Sequence, residues 1–228
     1  CTWNHVYNPY CSQDLHSGQM NEPSSQTWGL QFSGHNILKS ILDEMDRYGL
    51  MDAKDIILSG ASAGGLGVWI NLDYIANRYP RAKVSGLSIA GYYYYAKFYT
   101  GKDARQWSGQ GTMADFREPA WPNTFNLYNA YVNEDCYNSY TKNGAPANKA
   151  APCMLADYVI PFIKSPVYVV QSLSDKVVLQ YHDMLPDITE NSDGKPTSEE
   201  LNFMLNWQNY MSDALNKSKN EQANSAIK

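Results

Sequence analysis

One serine stands in the sequence setting that hydrolytic enzymes use for a nucleophile. Residues 58–65 read LSGASAGG and contain the pattern G-x-S-x-G, with Ser62 at its centre. The run 55–58 (DIIL) before the pattern predicts a buried strand, and residues 66–79 after it predict a helix. A serine on such a turn exposes its hydroxyl, and the N–H of Ala63 at the helix start would face a developing oxyanion. We therefore predict Ser62 as the nucleophile and Ala63 as an oxyanion donor; the alternative is a glycine-rich turn with an incidental serine.

A serine nucleophile needs a base that takes its proton and a carboxylate that orients the base. The apolar run 167–171 predicts a strand, and Asp175 follows it at the place where such a carboxylate lies. The alternative for Asp175 is a turn residue that caps the segment after it. His182 is the only histidine beyond Asp175, and it is a candidate base if residues 177–181 form a tight turn or a short helix. The simpler alternative is a surface histidine beside Asp183.

The composition excludes several classes of function. The chain has 228 residues, a net charge of −5 and no basic cluster, so we expect no nucleic-acid partner. No apolar run approaches the roughly 20 residues that cross a bilayer. No spacing of histidines and cysteines resembles a metal site, and a serine mechanism needs neither a metal nor a cofactor.

The cysteines and one sequon bear on the cellular compartment. The cysteines are Cys1, Cys11, Cys136 and Cys153. Cys136 and Cys153 bracket a loop rich in Asn, Gly, Pro and Ala, and a disulfide across it is expected in an oxidising compartment. The alternative is two buried free thiols. Asn216 begins an Asn-Lys-Ser sequon, which would be glycosylated in a secreted protein.

The alternation of strands and helices predicts an α/β fold with a mostly parallel sheet and helices on both faces. A single domain over residues 1–228 is expected, with an irregular insertion at about residues 103–153. The predicted elements not yet named are helices at residues 32–47, 107–114, 125–132 and 198–217, and strands at residues 6–7 and 83–90.

An ordered set of short motifs runs from Trp3 to about Trp207. The motifs are residues 3–4 (WN), 10–14 (YCSQD), 32–34 (FSG), 60–65 (GASAGG), 71–73 (NLD) and 166–175 (PVYVVQSLSD). Together they resemble the pectin acetylesterase/Notum family of α/β-hydrolase-like carboxylesterases. The resemblance implies a secreted serine esterase that removes an acyl group from a glycan or from a lipid-modified protein. It also implies Ser62 as nucleophile, Asp175 as triad acid and Ala63 N–H as oxyanion donor.

Parts of the family pattern have no counterpart in the sequence. In that family the catalytic histidine follows the last long helix, and a G-G-G-W-type turn with further oxyanion donors precedes the first motif. The resemblance therefore implies a chain that is incomplete at both ends, with the base beyond Lys228 rather than at His182. Additional segments or chains would complete the fold.

Two departures keep alternative functions open. Residues 89–91 (IAG) replace a D-S-G segment of the family, and His16 replaces a tryptophan that lines the pocket in relatives. An inactive member that serves as a structural or binding module in an extracellular assembly is therefore the second hypothesis. A third is an unrelated lipase-like hydrolase that uses His182.

Overall fold

The computed structural model describes residues 3–106, 115–190 and 193–225. The backbone divides into two compact units. Residues 1–92 and 122–170 form the first unit, and residues 93–121 and 171–228 form the second. The expectation of a single domain over the whole chain stays a prediction.

Parallel strands and α-helices form most of the regular structure. The strands are β1 (Asp55–Ala61), β2 (Lys83–Ile89) and β3 (Val167–Val170). The α-helices are α1 (Gly34–Arg47), α2 (Ala63–Arg78), α3 (Trp121–Tyr128), α4 (Glu134–Tyr140), α5 (Ala156–Val159) and α6 (Ser198–Ser225). Short 3₁₀ segments cover Ser25–Thr27, Leu50–Asp52, Glu118–Ala120, Lys142–Gly144, Ala147–Met154, Ile160–Phe162 and Ile188–Glu190, and a π-helix covers Val177–His182.

The sheet of the first unit has the strand order β1-β2-β3, and both neighbouring pairs are parallel. Helix α2 links β1 to β2 and packs against both strands. Gly86 on β2 permits this close packing, because a Cβ there would lie 2.9 Å from Leu72 Cδ2 and 3.0 Å from Val68 Cγ1. A parallel sheet with a crossover helix is the α/β arrangement that the sequence predicts.

Two of the predicted elements differ from the structure. Val6 and Tyr7 belong to no strand, and their side chains are 58% and 87% exposed, so the strand prediction at residues 6–7 is wrong. The helix predicted at residues 125–132 is α3, which begins earlier and ends at Tyr128. Asn129 follows with φ +46, and this left-handed conformation stops the helix. The helix predicted at residues 107–114 lies outside the described residues.

The NLD motif of α2 ties the first unit together through Asp73. The buried Asp73 carboxylate accepts hydrogen bonds from the backbone N–H groups of Lys164 and Ser165, at 3.0 Å each. It also accepts the Ser165 hydroxyl at 2.7 Å and Asn133 Nδ2 at 3.0 Å. Four donors compensate the cost of burying this charge. The motif is therefore structural at this position.

The YCSQD and FSG motifs meet at Asp14. Its carboxylate accepts the Ser12 hydroxyl at 2.5 Å and the N–H groups of Gly18 and Gly34 at 3.1 and 2.7 Å. Gly34 is the first residue of α1, so Asp14 satisfies a donor that the helix itself leaves without a partner. A Cβ at Gly18 or Gly34 would lie 2.2 Å from a carboxylate oxygen of Asp14. This contact explains why both positions require glycine.

A buried histidine pairs with the first residue of the NLD motif. Asn71 donates its Nδ2 protons to the carbonyl oxygens of His16 and Gly67, at 3.0 Å each, so its Oδ1 faces His35 as an acceptor. His35 Nδ1 lies 2.7 Å from that oxygen and must carry the proton. Burial lowers the pKa of His35 to about 4, because desolvation disfavours the charged imidazole.

We expect His35 to make the protein less stable in acid. The unfolded chain takes up a proton at a pKa of about 6.5, before the folded protein does at about 4, so acid favours unfolding across this window. Urea titrations at pH 7 and pH 4.5 measure the effect. The wild type should lose roughly 2 kcal/mol more unfolding free energy than His35→Gln between these pH values. An equal loss in both proteins would contradict the expectation.

The predicted disulfide between Cys136 and Cys153 is present. The two Cα atoms are 5.9 Å apart, and both side chains are fully buried, which excludes the alternative of two free thiols. The bracketed segment is more compact than its composition indicates. Ala150, Ala151 and Met154 are also fully buried, in a 3₁₀ segment that packs against α4.

We expect the double variant Cys136→Ala/Cys153→Ala to lose about 3 kcal/mol of unfolding free energy, because the bond constrains a 17-residue separation in the unfolded chain. Urea denaturation measures this loss. Cys11→Ala is the matched control, because Cys11 is exposed and has no disulfide partner among the residues that the structure describes, and its removal should change stability by less than about 0.5 kcal/mol. A double variant as stable as the control would contradict the prediction.

Within the described residues, no α-helix has both the length and the apolar character needed to cross a membrane.

Candidate active site

Ser62 lies on a tight turn between β1 and α2, as the sequence predicts. Its backbone has φ +54 and ψ −119, a conformation that residues with a side chain rarely adopt, and the residue is exposed. The turn depends on glycine, because a Cβ at Gly60 would lie 2.3 Å from the carbonyl oxygen of Gly64. The predicted turn between strand and helix is confirmed, and we call it the elbow. The catalytic role of Ser62 stays a prediction.

The end of β2 braces this elbow. The N–H of Ser62 donates to the carbonyl oxygen of Ile89 at 2.9 Å, and the Ser88 hydroxyl donates to the carbonyl oxygen of Gly65 at 3.1 Å. A Cβ at Gly65 would lie 2.8 Å from Gly91 Cα, so the two backbones touch. The conformation of Ser62 is therefore held by the neighbouring strand as well as by the turn.

The segment 89–91, which departs from the family pattern, thus has a defined structural role. Ala90 has φ +47 and its N–H donates to the carbonyl oxygen of Val170 at 2.7 Å. Trp69 Nε1 donates to the carbonyl oxygen of Gly91 at 3.1 Å. These contributions were not predicted from the sequence. The available signal was the glycine directly after the predicted strand 83–90.

We expect Gly65→Ala to destabilise the protein and Gly64→Ala to do the opposite. The new methyl group at Gly65 would meet the backbone of Gly91 and lie 3.0 Å from the Ile89 carbonyl oxygen, and such overpacking costs about 1–3 kcal/mol. A Cβ at Gly64 meets nothing within 4 Å, and alanine favours a helix over glycine by about 0.5–1 kcal/mol. Thermal denaturation of both variants measures the difference. Equal melting temperatures would contradict the described elbow.

Ala63 is positioned to donate to an anion. It is the first residue of α2, so the helix provides no internal acceptor for its N–H. The N-terminal end of a helix also carries partial positive charge. The residue adjoins Ser62, as an oxyanion donor must. Its role in catalysis stays a prediction.

Asp175 caps the π-helix Val177–His182 in the second unit. Its Oδ1 accepts the N–H groups of Val177 at 3.0 Å and Val178 at 3.4 Å, and its Oδ2 accepts Gln171 Nε2 at 2.8 Å. The capping alternative is therefore observed. A carboxylate offers about four acceptor positions, so one position remains at Oδ2 for a further donor.

His182 is not a surface residue, and that prediction is wrong. It is 1% exposed, because the rings of Tyr94 and Phe116 pack on it with centroids 4.8 and 4.5 Å away. Its Nδ1 lies 2.6 Å from Asp183 Oδ1, and its Nε2 lies 2.8 Å from the carbonyl oxygen of Tyr94. Asp183 also accepts the N–H of Lys97 at 2.9 Å and the Tyr94 hydroxyl. Both nitrogens of His182 thus face acceptors inside the second unit, which disfavours a role as base.

The structure groups the candidate residues by unit. Ser62 and Ala63 lie together in the first unit, and Asp175 and His182 lie in the second. His182 bonds to Asp183 and not to Asp175, so these two candidates do not form a catalytic pair. The assembly of a triad from Ser62 and Asp175 stays a prediction.

His16 packs on α2 at Gly67, near the start of that helix. A Cβ at Gly67 would lie 2.9 Å from His16 Cδ2, so the imidazole covers the helix five residues after Ser62. The Tyr10 ring packs on it with a centroid distance of 4.7 Å. Burial lowers the pKa of His16 and favours its neutral form.

Two further predictions concern other residues. Asn216 is exposed on α6, and its glycosylation stays a prediction. In the described part of the chain, no three residues of the types His, Cys, Asp and Glu are grouped so that they could hold a metal ion.

The comparisons with known proteins agree on one family. A family model described as pectinacetylesterase matches residues 1–227. The palmitoleoyl-protein carboxylesterase notum1' of Xenopus laevis is 33% identical over 181 residues, covering 77% of this chain and 35% of that protein. The human palmitoleoyl-protein carboxylesterase NOTUM is 29% identical over 207 residues, covering 89% of this chain and 38% of that protein.

A solved structure of the Wnt deacylase Notum from Drosophila has a TM-score of 0.70 and 24% identity, covering 91% of this chain and 55% of that chain. The likeness shows a common α/β-hydrolase-like fold. The chain spans little more than a third of the two curated relatives and about half of the solved structure.

Proposed function

The chain belongs to the pectinacetylesterase family, and we propose that it carries the nucleophile of a serine carboxylesterase. The observation that supports this proposal most directly is the positive φ of Ser62 on an exposed turn. Such strain costs about 1–3 kcal/mol and persists where the surroundings enforce it, as the end of β2 does here. A purely structural turn at this position gains nothing from a serine, because glycine adopts the same backbone without strain.

In the proposed reaction, Ser62 Oγ attacks the carbonyl carbon of an ester as a base takes the hydroxyl proton. The developing oxyanion receives a hydrogen bond from Ala63 N–H, and the alcohol leaves with the proton that the base returns. Water then attacks the acyl-serine with the help of the same base, which releases the acid and restores Ser62. Asp175 is proposed to orient the base through its remaining acceptor position.

We propose that the base is a histidine of a longer polypeptide and not His182. Both nitrogens of His182 already face oxygen atoms of the second unit. The relatives are longer than this chain, which leaves room for a base elsewhere in them.

The proposed substrate is an acyl ester on an extracellular glycan or on a lipid-modified protein. The relatives are named as palmitoleoyl-protein carboxylesterases, and the family is named for an esterase of pectin. A secreted location is proposed because the buried disulfide and the exposed Asn216 sequon suit an oxidising compartment.

A second function is a non-catalytic binding module. The observation that favours it is the replacement of the family's D-S-G segment by residues 89–91. This function predicts a folded natural protein that hydrolyses no ester.

Hydrolysis of p-nitrophenyl esters by the natural full-length protein and by residues 1–228 separates these hypotheses. We expect turnover by the full-length protein and almost none by residues 1–228. Comparing the rates of hydrolysis of the acetate and octanoate esters shows whether the enzyme prefers short or long acyl groups. A folded but inert full-length protein would support the binding module. Normal turnover by residues 1–228 that His182→Gln removes would overturn our placement of the base.

A further inference from the structure

A cavity lies in the first unit, and no residue of the elbow lines it. Its volume is about 440 Å³, within the range of roughly 300–1,000 Å³ that small-molecule sites occupy. Its lining residues are Gln19, Phe125, Asn129, Ala130, Tyr131, Val132, Glu134, Tyr137, Asn138 and Ala147. None of them is a residue of the proposed reaction. We call it the α3–α4 cavity.

The chemistry of the α3–α4 cavity matches a sugar ring. Tyr131 and Tyr137 are half-buried and supply aromatic surface, and the buried Phe125 and Val132 also line the cavity. The face of a pyranose presents C–H groups, which aromatic rings accept with their electron-rich faces. Around this surface stand several carboxamides, which both donate and accept hydrogen bonds as sugar hydroxyls do. The carboxamides are those of Gln19, Asn129 and Asn138.

Several polar groups of the cavity are available to a ligand. The side chains of Glu134, Tyr137 and Asn138 make no hydrogen bond to another residue in the described part of the chain. Tyr131 is held in place, because its ring stacks on His35 with centroids 3.9 Å apart. A lining that is fixed before binding lowers the entropic cost of association.

The charge of the lining selects against acidic sugars. Glu134 is the one charged group among the lining residues described here. The nearby Lys164 forms an ion pair with Asp135, so its charge is already compensated. A uronate or a sulfated sugar would meet a carboxylate without a cation to offset it.

From these contacts we infer that the α3–α4 cavity is a binding subsite for a neutral pyranose of a glycan. The inference rests on the first unit alone and does not depend on esterase activity. A second cavity, on α1, is lined by Ser33, Asn36 and Ser40 and offers a ligand fewer available polar groups. Its polar side chains are already bonded, since Ser33 donates to the carbonyl oxygen of Met20 and Asn36 to Asn21.

Nuclear magnetic resonance titration of the ¹⁵N-labelled protein tests the inference. The probes are methyl glycosides of galactose, glucose, mannose and xylose. Methyl galactosiduronate is the charged control, because it differs from the galactoside by its carboxylate. We expect at least one neutral glycoside to shift signals of residues 129–138, with millimolar affinity, and the uronate to bind at least about tenfold more weakly, a difference of 1.4 kcal/mol.

Variants locate the binding site. Asn138→Ala should lower the affinity for the neutral glycoside by about tenfold or more, and Tyr137→Phe should lower it severalfold. Both variants should keep the melting temperature of the wild type. Asn36→Ala on α1 and Ser62→Ala should leave its affinity unchanged. Absence of binding by every neutral probe, equal binding of the uronate, or binding that Asn138→Ala leaves intact would each overturn the inference.

Discussion

Replacing Ser62 with alanine in the natural full-length protein is expected to lower kcat for a p-nitrophenyl ester by about 10⁴–10⁶-fold. The reason is that no acyl-enzyme forms without the serine oxygen. Ser62→Gly should abolish activity equally and should also raise the unfolding free energy by about 1 kcal/mol, because glycine relieves the strain at φ +54. Loss of function together with a gain of stability is the signature of a strained catalytic residue.

Ser59→Ala is the matched control for Ser62. Ser59 is an exposed serine on β1, three residues before the elbow, and it has no role in the proposed reaction. Its replacement should leave both kcat and the melting temperature unchanged. A Ser62→Gly variant that is less stable than the wild type would contradict the strain described at the elbow, and a Ser62→Ala variant with normal kcat would contradict the assigned nucleophile.

Asp73→Ala is expected to have the largest effect on stability, a loss of about 4 kcal/mol. Removal of the carboxylate leaves the backbone N–H groups of Lys164 and Ser165 and the amide of Asn133 without their buried acceptor. Urea denaturation measures the loss. If the variant does not fold, Asp73→Asn, which keeps one acceptor oxygen, should give an intermediate loss.

Asp43→Ala controls for the removal of a carboxylate as such. Asp43 pairs with Arg78 but its side chain is 67% exposed, and exposed ion pairs contribute about 0–1 kcal/mol. Losses of similar size for Asp73→Ala and Asp43→Ala would contradict the structural role assigned to the NLD motif.

These predictions separate two kinds of motif residue. Asp14 and Asp73 hold segments of the first unit together, and neither adjoins the elbow in sequence. Ser62 is the motif residue whose strained backbone we propose to serve chemistry rather than stability. A family member can therefore keep the structural motifs and still be inactive, which is why activity has to be tested at Ser62 itself.

The elbow was predictable from sequence because its signals are local. The strand, the glycines and the helix around Ser62 occupy one continuous segment, and each has a recognisable pattern. The bracing by Ile89 and Gly91 was not predictable in the same way, because it depends on the pairing of β2 with β1. Gly91 signals a turn after the strand, but no local pattern shows which backbone that turn contacts.

The residues whose environment was predicted wrongly also depend on contacts that are distant in sequence. His182 stands directly beside Asp183 in the sequence, and this charged neighbour favoured the surface. Its burial comes from Tyr94 and Phe116, which lie more than 60 residues away in the chain. Val6 and Tyr7 look strand-like, but a strand forms only with a partner, and these side chains remain exposed.

Covalent trapping tests the central claim most directly. The natural full-length protein is incubated with a fluorophosphonate, which reacts with activated serines, and its peptides are analysed by mass spectrometry. We predict one added phosphonyl group on the peptide that contains Ser62, its loss in Ser62→Ala, and its retention in Ser59→Ala. An unlabelled folded protein, or a label on another serine, would contradict the assignment of Ser62 as the nucleophile.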